Sequence, residues 1–276
     1  MFASARGVEF AASPAVVNPV LRPQLRQTIS LDGLWDFAID PNNRGLEQQW
    51  FKPDKELANK VSIKVPGCWE AQGIGGEGIS STNAIEQSLR MLKGSYIGTA
   101  WYKKSIVIPK NWKNKQIWLK IGGVHCQGWF WVNGTFIAHL DDYCGSYKFN
   151  ITDLVIPGKQ TVLAAKVRND VTANKGLFAW VHKFGGLYRS VELDATSDTL
   201  IDYVYVDPLF DEKKARFNIK LRNCRPENKV SYQVHIDCST KAGIKAGRYC
   251  GKVSFTGEEV KDLQIDLPLK PYNPWS

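Results

Sequence analysis

The sequence predicts an all-β chain made of two sandwich modules. Three observations lead there: strand-length apolar runs recur along most of the chain, long helical periodicity is scarce, and Gly and Pro are spread out rather than clustered. Short extended segments punctuated by turn residues pack as layered sheets, whereas a parallel α/β sheet would need helical stretches between its strands. At 276 residues the chain is long enough for two cores.

The elements follow in order. Residues 101–108 form the first clear β-rich run and stop at Pro109. Residues 116–121 form another, ended by Gly122 and Gly123. Residues 128–132 and 135–139 flank Asn133-Gly134, the strongest short-range hairpin signal, because a type I′ turn needs positive φ at both central positions. Period-two alternation puts Trp129 and Trp131 on one face of that strand and Phe130 and Val132 on the other. Further strands are expected at 147–151, 161–167 and 188–193, with Pro157-Gly158 as punctuation. Residues 73–98 carry little strand character and read as a long surface excursion, a kind of loop that is usually functional or mobile.

Past residues 194–197 the runs become regular: 202–206, 215–221, 229–238, 248–255 and 259–267. Alternating strands at such spacing suit an immunoglobulin-like sandwich, which needs about seven, so five read as an incomplete one. The linker is short and not Gly/Ser-rich, as expected for docked modules.

Composition narrows the function classes. Hydrophobic residues make up 43% and charged residues 23%, as in globular rather than disordered chains. The formal net charge of +9 raises the question of nucleic acid, but the basic residues are scattered in pairs such as Lys103-Lys104 and Lys213-Lys214, and no module signature is present. A solvated basic surface is expected, with a weak preference for anionic glycans as the sharper alternative. The six cysteines form no Cys-x-x-Cys pair and have no histidine at zinc-ligand spacing, so neither metal nor cofactor is expected, and buried thiols are favoured over disulfides. No stretch is long and apolar enough for a transmembrane span, and residues 1–21 lack a signal-peptide pattern. The protein is therefore expected to be cytoplasmic, or periplasmic or secreted with its leader missing.

A set of motifs then carries a family resemblance. Leu31-Asp32-Gly33-Leu34-Trp35-Asp36-Phe37 is followed by Val65-Pro66-Gly67-Cys68-Trp69-Glu70 and by Gly98-Thr99-Ala100-Trp101-Tyr102-Lys103-Lys104. Trp131-Val132-Asn133-Gly134, Phe149-Asn150-Ile151-Thr152-Asp153-Leu154 and Gly185-Gly186-Leu187-Tyr188-Arg189-Ser190-Val191 complete it. In that order the chain resembles the N-terminal sugar-binding domain of family 2 glycoside hydrolases, the β-galactosidase, β-glucuronidase and β-mannosidase group. The resemblance implies a jelly-roll (galactose-binding-like) sandwich at 28–196 after an N-terminal extension at 1–27. It implies an immunoglobulin-like sandwich at 197–276, truncated at its C-terminal strand with an unpaired edge. A catalytic TIM barrel, in cis or in trans, would be the partner.

Retaining hydrolysis needs two carboxyl groups about 5–5.5 Å apart. In the resembled family the acid/base glutamate follows an asparagine, and no Asn-Glu dipeptide occurs in this chain. Asp141-Asp142 is the most tempting carboxylate pair, but neighbours in a strand point to opposite faces, so a solvated acidic tip is expected and no catalytic residue is assigned. Where the galactosidase and glucuronidase branches place an acidic rim residue, this chain has Trp180, close to His182 and Lys183. These three are the substrate-rim candidates: an indole stacks on a sugar's apolar face and Lys183 would meet a carboxylate or sulfate. Packing of Trp180 beneath its loop is the equally weighted alternative. Trp35, Trp69, Trp101 and Trp131 are expected in the core, His125 and His139 in structural roles, and Arg189 on a carboxylate or backbone oxygens. The expected function is the ancillary, non-catalytic sugar-binding portion of such a hydrolase. A free-standing lectin-like module, or an assembly surface for a separately encoded barrel, are the alternatives.

Overall fold

The computed structural model describes residues 8–9, 26–75, 96–142, 144–169, 184–240 and 242–271. In chain order the strands are β1 (Val8–Glu9), β2 (Gln27–Ser30), β3 (Gly33–Ile39), β4 (Val61–Val65), β5 (Thr99–Val107), β6 (Gln116–Ile121), β7 (Gln127–Val132) and β8 (Thr135–Asp141). They continue with β9 (Tyr147–Asn150), β10 (Gln160–Arg168), β11 (Val191–Thr196), β12 (Thr199–Leu209), β13 (Lys214–Asn223), β14 (Val230–Ser239), β15 (Lys245–Phe255) and β16 (Val260–Pro268). Three short 3-10 turns are the only helical elements among the described residues. The chain divides into two compact units, Thr28–Asp194 and a second formed by Met1–Gln27 with Ala195–Ser276.

The larger unit is a β-sandwich of a six-stranded sheet, β4-β3-β5-β10-β7-β8, and a four-stranded sheet, β2-β11-β6-β9. The pairings within the six-stranded sheet are antiparallel, as is that of β6 with β9. Asn133 and Gly134 have φ of 49° and 82°, so the β7–β8 hairpin closes through the two left-handed positions its sequence predicts. In the sequence, motifs hold most of β3 and only Val65 of β4. Val61–Val65 does alternate apolar with polar, a usable signal, whereas the four residues of β2 are too few to show a period.

Alternation sorts the six-stranded sheet into two apolar faces. Phe37 and Tyr102 turn inward, their rings edge to face at 4.9 Å, and Trp69 tilts against Phe37 at 6.0 Å. The opposite face carries Ala38, Trp101, Trp131 and Ala164, and the β3–β4 connection covers it with Trp50 and Leu57. Trp101 stacks on Trp131 at 5.3 Å, and Phe51 on Trp131 at 5.4 Å. Two charged groups hold this cover down. Asp40 accepts from Trp101 Nε1 and from the backbone N–H of Arg44 and Gly45, each within 3.0 Å. Lys103, 7% exposed, donates to the carbonyl of Lys52 at 2.6 Å and to that of Lys55. Trp35, Trp69, Trp101 and Trp131 are all buried. Trp129, half-buried, lies between His139, stacked on it at 4.4 Å, and Lys166, whose Nζ is 4.8 Å from the ring centroid.

The second unit packs β12-β13-β16 and β1-β14-β15 around Phe217, Ile219, Leu221, Val234, Ile236 and Phe255. Val8 and Glu9 pair with Cys238 and Asp237 of β14. Two residues are too short a run to read as a strand in a sequence.

Candidate functional site

One end of the larger sandwich, where residues 169 and 184 flank the segment that carries the substrate-rim candidates in sequence, is built from three motifs. Trp180, His182 and Lys183 themselves lie outside the described residues, as does most of the 73–98 excursion, but the roots of both segments are in view. They converge on Glu70 and Asn169.

Asn169 is fully buried and uses both ends of its carboxamide. Its Oδ1 accepts from Gly98 N–H at 2.9 Å, and its Nδ2 donates to the Tyr96 carbonyl at 3.0 Å and to Glu70 Oε1 at 3.2 Å. Glu70 Oε2 accepts from Gly185 N–H at 3.0 Å. Trp69 Nε1 donates to the Tyr96 carbonyl at 3.1 Å, and its backbone N–H to the Gly185 carbonyl at 3.0 Å. One carboxyl group and one carboxamide thus tie together the chain on either side of 76–95 and 170–183. Burial pushes the Glu70 carboxyl up to about 7, although its hydrogen bonds oppose the shift.

The Gly185-Gly186 pair of the last motif has a steric cause. A Cβ on Gly185 would lie 2.1 Å from Cζ2 of the buried Trp69, and Gly186 takes φ of 131°, where a Cβ would lie 2.8 Å from both the Gly67 carbonyl and the Tyr102 hydroxyl. His125, also fully buried, donates from Nδ1 to the Phe184 carbonyl at 2.5 Å and stacks on the Phe184 ring at 3.9 Å. The histidine therefore braces the segment's exit.

The two members of the tempting aspartate pair meet different surroundings. Asp142 accepts from Tyr147 Oη at 2.7 Å and from Cys144 N–H at 3.1 Å, so it orders a turn, while Asp141 is exposed at the end of β8. Among the described residues, no three His, Cys, Asp or Glu side chains gather into a metal-binding group, no disulfide joins the six cysteines, and no helix is long and apolar enough to cross a membrane.

On the face of the four-stranded sheet turned away from the core, a groove of about 430 Å³ runs past Pro66, Lys120, Gly122, Ser146, Arg189 and Glu192. Arg189 donates from Nη1 to the Cys144 carbonyl at 3.2 Å, one of the two kinds of acceptor expected for it. Glu70 and Asn169 were not singled out as site residues. Glu70 was visible only as the last residue of a motif, and Asn169 carries no local signal at all.

Comparison with known proteins decides the family. Residues 28–197 match the sugar binding domain of glycosyl hydrolases family 2. The chain belongs to this family.

A β-glucuronidase of Paenibacillus borealis is 24% identical over 268 residues, covering 90% of this chain and 41% of the relative. A β-galactosidase of Clostridium acetobutylicum is 25% identical, covering 90% of this chain and 27% of the relative. The family 2 chain therefore spans less than half the length of the relatives it matches. Among solved structures, a calcium-binding mutant of Bacteroides uniformis β-glucuronidase 2 superposes with a TM-score of 0.73 at 20% identity, over 91% of this chain and 29% of that one. A Bacteroides uniformis β-glucuronidase gives 0.70 at 20% identity, over 91% of this chain and 29% of that one. At such identities the likeness establishes the β-sandwich fold.

Proposed function

We propose that this chain is the ancillary carbohydrate-binding portion of a glycosidase: it shapes the substrate entrance of a catalytic TIM barrel, supplied in cis or in trans, and does not hydrolyse by itself. The observation that carries this is the Glu70–Asn169 clasp, which fixes the roots of residues 76–95 and 170–183 side by side at one end of the sandwich. Trp180, His182 and Lys183 belong by sequence to the second of these segments. An indole for a sugar's apolar face and a cation for a carboxylate or sulfate suit a substrate rim. Named relatives act as β-glucuronidases and β-galactosidases, which supports a glycoside as the partner.

The test measures release of p-nitrophenol from its β-glucuronide and β-galactoside by the chain alone and after mixing with a separately produced family 2 barrel. No turnover alone, turnover with the barrel, and a raised KM for Trp180→Ala in the mixture are expected. Turnover by the chain alone that disappears on changing one of its own carboxylates would overturn the proposal. Glycan binding without any barrel dependence would transfer the chain to the lectin-like class.

A further inference from the structure

We propose that the groove over β6 and β11 is a separate subsite for sugars that carry a carboxylate or a sulfate. It rests on the reading that this sandwich faces carbohydrate, but it uses none of the rim residues.

The argument starts from Arg189. Its side chain is exposed, and among the described residues it makes no ion pair. One N–H is engaged by the Cys144 carbonyl at 3.2 Å, and the guanidinium carbon lies 5.4 Å from the Tyr188 ring centroid. These contacts orient the planar fork while leaving most of its donors unused, the arrangement that favours two-point recognition of a carboxylate or sulfate. The second cation differs. Lys120 pairs with Glu192 at 2.6 Å and also faces Asp194 at 3.9 Å, so it adds no net positive charge and offers a donor beside acceptors for sugar hydroxyls, which leaves Arg189 as the anion-recognising group. Two hydroxyls complete the lining, those of Ser146 and Ser190. Ser190 donates its proton to Asp32 at 2.9 Å, which leaves its oxygen as an acceptor toward a sugar hydroxyl.

The groove is also built to hold its shape. Gly122 donates its N–H to the Ser190 carbonyl at 2.9 Å, and a Cβ there would lie 2.7 Å from that oxygen. A Cβ on Gly123 would lie 2.9 Å from the Tyr188 ring and 3.1 Å from Arg189 Cδ. Two consecutive glycines thus let residues 188–190 lie directly on the chain after β6, and binding would need little loop ordering. At about 430 Å³ the groove falls in the range of small-ligand sites, roughly 300–1,000 Å³, and fits one or two sugar rings.

Ligand-observed NMR and calorimetry at low salt, with methyl β-D-glucuronide, glucose 6-sulfate and neutral methyl β-D-glucoside as probes, test this. One or both anionic probes should bind and the neutral one should not. Arg189→Ala should weaken binding by at least about tenfold, the worth of a charge-assisted hydrogen-bond pair. Arg189→Lys should restore only part, added salt should weaken binding, and Trp180→Ala should leave it unchanged. Which anionic probe binds tells a uronate from a sulfated sugar. Ser146→Trp, which fills the groove without touching Arg189's own contacts, replaces Arg189→Ala if that variant does not fold. Equal binding of the neutral probe, or binding insensitive to Arg189→Ala and Ser146→Trp, would overturn the subsite. Loss in Trp180→Ala alone would overturn it and leave the rim proposal standing. Absence of binding by any probe would overturn it too, while turnover in the barrel mixture would still judge the proposed function.

Discussion

Replacing Glu70 by glutamine should flatten the pH dependence of the larger sandwich's stability. In the unfolded chain the Glu70 carboxyl releases its proton near 4.5; in the fold, burial holds it to about 7. Between those values the native state keeps a proton that the unfolded state has lost. The stabilisation is therefore complete below about pH 4.5 and disappears as pH rises through 7. At about 1.4 kcal/mol per pH unit the full loss would be about 3 kcal/mol, reduced to roughly 2 kcal/mol because the side chain is only partly shielded from water. Glu70→Gln stays neutral throughout. Its amide nitrogen cannot accept, so one of the bonds from Gly185 N–H and Asn169 Nδ2 is lost, a constant cost of about 1 kcal/mol. The variant should be the less stable protein at pH 5 and equal to or more stable than wild type at pH 8. Urea unfolding followed by tryptophan fluorescence suits the measurement, since nine of the ten tryptophans, all but Trp275, fall within residues 28–194. Other groups cancel in the difference between the two proteins. A difference that stays constant from pH 5 to pH 8 would refute the claim that Glu70 is held protonated by its burial.

Three further outcomes are expected. Lys103→Met should destabilise by about 2 kcal/mol in urea, because the carbonyls of Lys52 and Lys55 lose their donor beneath the covered tryptophan face; an unchanged midpoint would show that water replaces the ammonium. Gly185→Ala should cost about 1–3 kcal/mol by driving a methyl into Trp69, and should speed proteolytic cutting near residues 170–183. Labelling with a chromogenic disulfide should modify Cys144 and Cys250, both exposed, in the native protein, while Cys126 and Cys238 react only on unfolding. Burial pushes the Cys238 thiol up to about 11, which reinforces its inertness, so early modification there would contradict the described core.

Much of this protein was legible in its sequence because the signals concerned are local. Asn133-Gly134 specifies its own turn through the φ values those two residues tolerate, and alternation around it assigns Trp131 and Phe130 to opposite faces without any knowledge of the partner strands. The ordered motifs pointed to the family for a related reason: each is a short piece whose geometry is demanding, as Gly185-Gly186 against Trp69 illustrates. The five runs after residue 200 likewise became β12 to β16.

What the tertiary structure alone decided depends on residues far apart in the chain. Nothing near Glu70 announces a buried carboxyl; it becomes one because Asn169 and Gly185, 99 and 115 residues away, close over it. Nothing near Trp101 and Trp131 says what covers them, since the answer is Trp50 and Leu57 in a connection without strand pattern, pinned by Asp40 and Lys103. The freedom of the Arg189 guanidinium is likewise a matter of which neighbours it meets. Strand and turn preferences are properties of a few consecutive residues, whereas burial, altered acidity and a donor fork with only one N–H engaged are properties of an environment, which exists only once the sheets have packed.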